Sequence, residues 1–221
     1  MCRLNNIYSR LKTRYGFGVH SPWAYDIITS LIMEKSTYYA YNELEDISER
    51  SYANLPRYSN KINRLLFRMV NYFSPSSILE IGTGSGVSAV YLSVAKKSAP
   101  CVTIDIPHDK QSEVKCFLSP FTNVKPLFGS YQAIINNFFQ HYGAIEFVHV
   151  AHTDKFCEVV ETLISMATPT TLIVVESVDS KPRTAWWEEL IKDDRVGVTF
   201  EYNGIGLLFF DFKRYKQNYL L

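Results

Sequence analysis

The chain has 221 residues, 47% of them apolar, and a formal net charge of +1. That length holds one α/β domain with an added segment and a sizeable core. The near-neutral charge excludes a global electrostatic pull toward nucleic acid or a membrane surface. Residues 1–75 nevertheless carry +4 and the remainder −3, and Arg3, Arg10, Lys12 and Arg14 all fall within the first fourteen positions. A solvated basic helix and a docking surface for an anionic partner are both open readings of that cluster.

Cys2, Cys101, Cys116 and Cys157 form no Cys-x-x-Cys pair and have no histidine at zinc-finger spacing. They read as scattered thiols of a reducing compartment. The N-terminus lacks the apolar stretch of a signal peptide, and no apolar run approaches the ~18 residues of a membrane span. A cytoplasmic protein with no membrane partner is expected.

In chain order, Leu4, Ile7, Tyr8 and Leu11 share one helical face. The loop 15–20, with two glycines, leads to Ser21-Pro22, a helix start with Ser as N-cap and Pro at the first position, continuing to Met33. Residues 36–60 are rich in Tyr, Ser and Asn, with Tyr38, Tyr39, Tyr41, Tyr52 and Tyr58 among them, and a short helix is expected at 43–50. With Trp23 and Tyr25 this segment is a natural lid over a site mouth, or simply packing for the cap. A helix over 59–73 presents Ile62, Leu65, Leu66, Met69, Val70 and Phe73 inward, and Ser74-Pro75 ends it.

From residue 76 strands and helices alternate. Strands are expected at 77–81, 101–105, 124–128, 145–150 and 171–176, with helices at 86–97, 109–118, 130–141, 154–167 and 183–192. This order indicates a parallel, doubly wound sheet. The end breaks the pattern: Asn203-Gly204 joins two strand-like runs, 196–202 and 205–212, the strongest short signal for a hairpin. The tail 213–221 reads as exposed. Three segments result: an N-terminal helical cap or lid (1–75), an α/β domain (76–212) and the tail.

The chemistry concentrates at Ser77–Gly86. Ile78-Leu79-Glu80-Ile81 stops at Gly82, Gly84 and Gly86, and a helix follows at once. Glycines there let a ligand approach the backbone, and the helix start presents free N–H groups. As a dinucleotide fingerprint the turn fails at its third position, where Val87 replaces Gly or Ala. Asp105 ends the second strand, where an acid can accept both hydroxyls of a ribose. Glu80 reads either as a partner for turn amides or as a favourable charge near a cationic ligand.

At these residues the chain resembles the class I S-adenosylmethionine-dependent methyltransferases. Their first motif, Glu/Asp-x-Gly-x-Gly-x-Gly, is matched by Glu80-Ile-Gly82-Thr83-Gly84-Ser85-Gly86, their second-strand acid by Asp105, and their terminal hairpin by 196–212. The resemblance implies a Rossmann-like seven-stranded sheet of order 3-2-1-4-5-7-6 with strand 7 antiparallel. It implies S-adenosylmethionine as cofactor, its methionine near Glu80 and Gly82, its ribose on Asp105, and its adenine beside Ile106 and Gly129-Ser130. A nicotinamide or flavin is the competing ligand.

A narrower likeness is to the small catechol-type O-methyltransferases, and to a bacterial methyltransferase-like group opening with Gly-Phe-Gly-Val-His-Ser-Pro, found here at 16–22. Metal-dependent members hold a divalent cation with an acid after strand 4 and an acidic pair after strand 5. This chain departs from them, with Ala151 and Ser177 at two of those positions, so no metal site is expected.

Proton removal from an oxygen acceptor then falls to a side chain. His152, with a pKa range suited to a base, Asp154 and Glu176 are the candidates. Loop solvation and helix capping compete for His152 and Asp154, and sheet packing is the expected role of His149. The expected function is metal-independent methylation, O-directed, of a small molecule. The alternative is a catalytically degenerate methyltransferase-fold protein that binds S-adenosylmethionine as a binding module. The charge and the absence of an Asn/Asp-Pro-Pro-Tyr/Phe motif argue against a nucleic-acid acceptor, and a homo-oligomer is left open.

Overall fold

Ile78-Leu79-Glu80-Ile81 is buried on both faces, as a central parallel strand must be. It lies at the centre of a computed structural model that describes residues 13, 15–51, 59–151, 153, 155–181 and 183–221. The expected helix over Leu4–Leu11, the basic cluster at 3–14, Tyr52 and Tyr58, and the base candidates His152 and Asp154 lie outside the described residues.

The cap begins with α1 (Pro22–Asp26), where the Ser21 hydroxyl accepts a hydrogen bond from the Ala24 amide, and continues as a π-helix (Ile27–Ile32). The sequence pattern predicts one uninterrupted helix; the wider turn keeps Ile27, Ile28, Leu31 and Ile32 buried. The Arg68 guanidinium donates to the Leu31 and Ile32 carbonyls at its end, satisfying acceptors that a helix terminus leaves open. α2 (Tyr41–Glu49) and α3 (Asn60–Phe73) complete the described cap.

Alternation then follows: β1 (Ile78–Ile81), α4 (Val87–Ala95), β2 (Cys101–Asp105), α5 (Gln111–Leu118), β3 (Val124–Phe128), α6 (Tyr131–Tyr142), β4 (Phe147–Val150), α7 (Phe156–Ser165), β5 (Leu172–Val175) and α8 (Arg183–Leu190). β6 (Thr199–Tyr202) and β7 (Ile205–Phe209) form the expected hairpin, with Asn203 and Gly204 both at positive φ (48° and 77°), the geometry an Asn-Gly turn supplies. β7 is antiparallel to β5. The edge strand β3 tolerates Pro126, whose missing N–H would break a central ladder.

Among the described residues the sheet has eight strands, not seven, in the order β3-β2-β1-β4-β5-β7-β6-β8. The added strand, β8 (Asn218–Leu220), comes from the tail that the sequence assigns to solvent. It pairs parallel to β6, with Tyr219 stacked on Phe200 (centroids 4.9 Å apart, planes 18°) and Tyr219 and Leu221 both buried. Two aromatic faces removed from water outweigh the cost of ordering the short segment.

One face of the sheet carries Ile78, Cys101, Phe147, Leu172, Val174 and Leu207, packed with Ile27, Ile28, Leu31, Leu65 and Met69 of the cap. The other carries Leu79, Ile81, Val102, Val148 and Ile173 beneath Ile135, Val160 and Leu163. Trp23 does not reach the carboxyl ends of the parallel strands. It packs edge-on against Phe200 and Phe209, and Phe209 pairs with Leu172 at the amino end of β5. Of the other lid aromatics, Tyr38 and Tyr41 pack with Phe67 at 5.4–5.5 Å, whereas Tyr39 is exposed.

Candidate functional site

Past β1, Gly82 still bonds in the sheet, its amide donating to the Ile104 carbonyl at 2.7 Å, and the Gly86 amide closes the turn on the Thr83 carbonyl at 2.8 Å. Gly82, Gly84 and Gly86 take φ of 93°, 52° and 82°, a region that other residues enter only with strain. A Cβ on Gly86 would also lie 3.1 Å from the Leu118 side chain. Thr83 and Ser85 are buried, so the open side of the turn is backbone.

Asp105 binds this turn to the end of β2. Its Oδ2 accepts the Gly84 amide at 3.0 Å and its Oδ1 the Ile106 amide at 2.8 Å. The Tyr131 hydroxyl lies 3.4 Å from the same Oδ1, and burial raises that hydroxyl's pKa. The Gly129 amide donates to the Asp105 carbonyl, which brings Gly129 and Ser130 beside Ile106. Ile106 is about half exposed, an apolar side chain at an otherwise polar rim. The residues named for a nucleoside therefore converge on one rim. Oδ2 keeps a lone pair beyond the Gly84 amide, while the Tyr131 hydroxyl faces Oδ1 beside the Ile106 amide, so the set fits a ribose hydroxyl with a flat base beside it.

Beneath the rim lies a polar row that sequence reasoning missed. Glu80 is fully buried: Oε2 accepts from the Thr103 hydroxyl at 2.6 Å, and Oε1 lies 3.0 Å from His149 Nδ1. His149 Nε2 lies 2.8 Å from Glu176 Oε1. Thr103 also bonds Thr83 at 2.8 Å, so the row runs from the glycine turn across β2, β1, β4 and β5. Beyond it the Arg183 guanidinium donates to the Glu176 and Thr153 carbonyls and stacks 3.9 Å over Phe156. The available signal was parity: each ionisable residue interrupts an apolar strand near its carboxyl end, and parallel register puts all three on one face.

Burial disfavours the charged imidazole, but hydrogen bonds and charge from Glu176 and Glu80 outweigh it and bring His149 to about 9. Burial pushes the Glu176 carboxyl up, against the pull of His149. The imidazole thus holds its proton between two carboxyl groups beneath the cradle. Glu80 thus neither pairs with turn amides nor reaches the surface, and Glu176 is turned inward. Ala151 is buried, and Ser177 takes a positive φ of 59°. Among the described residues no group of three His, Cys, Asp or Glu side chains is arranged to hold a metal ion.

No protein-family model matches the chain, and no curated protein matches its sequence. Its architecture is shared with solved methyltransferases. The O-methyltransferase TomG from Streptomyces achromogenes, involved in tomaymycin synthesis and solved with S-adenosylmethionine, aligns over 84% of this chain and 95% of its own (TM-score 0.60, 19% identity). The S-adenosylhomocysteine-bound methyltransferase PaMTH1 of Podospora anserina aligns over 86% and 96% (0.62, 17%). An O-methyltransferase from Bacillus cereus, also with S-adenosylhomocysteine, aligns over 83% and 96% (0.62, 17%). The chain has the class I methyltransferase fold, with one further strand at its edge.

Proposed function

We propose that this protein is an S-adenosylmethionine-dependent methyltransferase acting on a small molecule, O-directed and independent of metal, in the cytoplasm. The observation that carries the reading is Asp105, which fixes Gly84 with one carboxylate oxygen and Ile106 with the other. That arrangement brings a carboxylate and a backbone turn to one rim. Gly82–Gly86, Asp105, Ile106, Gly129 and Ser130 would hold the cofactor, which supplies a methyl group already activated on a sulfonium.

The chain's own work is then alignment and exclusion of water. The buried Glu80–His149–Glu176 row ties β1, β4 and β5 together beneath the turn and so holds the floor of the site rigid. Residues 1–75 would cap the α/β domain. The free thiols Cys101, Cys116 and Cys157 fit a reducing compartment. The base candidates for the acceptor's proton are His152 and Asp154, which follow β4 in sequence.

One observation favours the second reading, a cofactor-binding module without turnover: Glu176, the acid at the end of β5, is committed to His149. Incubation with methyl-labelled S-adenosylmethionine and pooled small-molecule hydroxyl and carboxyl acceptors separates the two. Label in product, unaffected by a chelator, supports the enzyme. Cofactor binding with no transfer to any pool supports the module.

A further inference from the structure

The carboxyl edge of the sheet holds a second feature, away from the glycine turn. A cavity of about 480 Å³ opens between the end of the π-helix, α3 and the β6–β7 turn. Its floor is apolar, formed by Ile32, Ile62, Leu65 and Ile205, while Lys35, Lys61, Arg64 and Arg68 line it with positive charge. Glu34 is the acid of the lining, and it is engaged by the Tyr38 hydroxyl and the Ser36 amide. Arg64 pairs with Glu45 and stacks on Tyr41, and Arg68 is spent on carbonyls that leave its charge intact. Lys35 and Lys61 are exposed and form no ion pair among the described residues. Even with Glu45 counted, the cavity has an excess of two positive charges.

Its place relative to the cradle follows from the sheet. Gly206 pairs with Val175, and the Val178 amide donates to the Gly204 carbonyl, so the hairpin turn stands beside the end of β5. Neighbouring strands lie about 4.8 Å apart. The β7 side of the cavity is therefore roughly 10 Å from the end of β4 and about 15 Å from β1, within the length of one small molecule.

We infer that this cavity anchors the methyl acceptor, and that the acceptor is an amphiphilic anion, an apolar body bearing a carboxylate. The apolar floor takes the body, and the lysines take the charge where water still reaches them. A neutral ester of the same shape would lose the charge-assisted contacts. The assignment of the occupant as acceptor rests on the methyltransferase reading; the preference for an anion does not.

Calorimetry with octanoate and cinnamate, against their methyl esters, tests it on the full chain, with S-adenosylmethionine titrated in parallel. The expected result is that one or both acids bind at least fivefold more tightly than their esters. The double variant Lys35→Glu/Lys61→Glu, whose exposed positions leave folding intact, should abolish that difference while its cofactor affinity stays unchanged. Equal binding of acid and ester, binding of neither, or an unchanged preference in the double variant would overturn the inference. Acid-selective binding without any cofactor binding would instead keep the anion site and remove the methyltransferase reading.

Discussion

Nε2 of His149 lies 2.8 Å from Oε1 of Glu176, and both side chains are withdrawn from solvent. With Glu80 on the other ring nitrogen, the imidazole is held between two carboxylates contributed by the strands on either side. An ionisable side chain in this setting is stabilising only while its charge matches its partners.

Stability should therefore depend on pH in a definite direction. The folded-state pKa of His149, about 9, lies above its ordinary 6.5. Its contribution, on the order of 3 kcal/mol, is complete below about pH 6.5 and is lost as pH rises through 9. The raised Glu176 pKa has the same sign, since it too binds its proton more tightly when folded. Chemical denaturation across pH 6–10 should show stability falling toward the alkaline end. In His149→Phe, Glu80 and Glu176 lose the cation between them, which should cost about 3–5 kcal/mol at neutral pH and flatten that profile. An unchanged slope in the variant would mean that the histidine is not the group responsible.

The glycine turn makes a local prediction. Gly86 sits at φ 82° with Leu118 behind it. Gly86→Ala should destabilise the protein by about 1–2 kcal/mol for the left-handed backbone alone, with more if Leu118 cannot yield. Cofactor affinity should fall along with stability, because the turn and the start of α4 move together. A variant as stable as the parent would show that the turn relaxes freely.

At the opposite edge, Tyr219→Ala removes the ring stacked on Phe200 and opens the β6–β8 pairing. A loss of about 3 kcal/mol is expected, with cofactor binding retained because β8 lies seven strands from β3 and five from β1. Melting curves and a binding titration on the same sample check both halves of that statement.

What the sequence made legible follows from the range of each signal. The strand–glycine–helix junction, Asp105 and the Asn203-Gly204 hairpin are local patterns, and each occupies its expected place. β8 is three residues long and too short to show a period, so only its partner Phe200 reveals it. The π-helix has the same apolar spacing as an ordinary helix, and the Arg68 guanidinium that meets the carbonyls at its end lies 37 residues from Leu31 in sequence. The Glu80–His149–Glu176 row needs three strands in register before its members meet. In sequence His149 reads as core or sheet packing, because a single ionisable residue in an apolar strand carries no hint of its neighbours.

The central claim is that Asp105 and the glycine turn form an S-adenosylmethionine cradle. Isothermal titration of the protein and of Asp105→Asn with S-adenosylmethionine tests it most directly. The account predicts saturable one-site binding to the parent chain and at least tenfold weaker binding to the variant, about 1.4 kcal/mol or more, with the variant still folded. Absence of binding to the folded parent, or equal affinity in the two proteins, would contradict it.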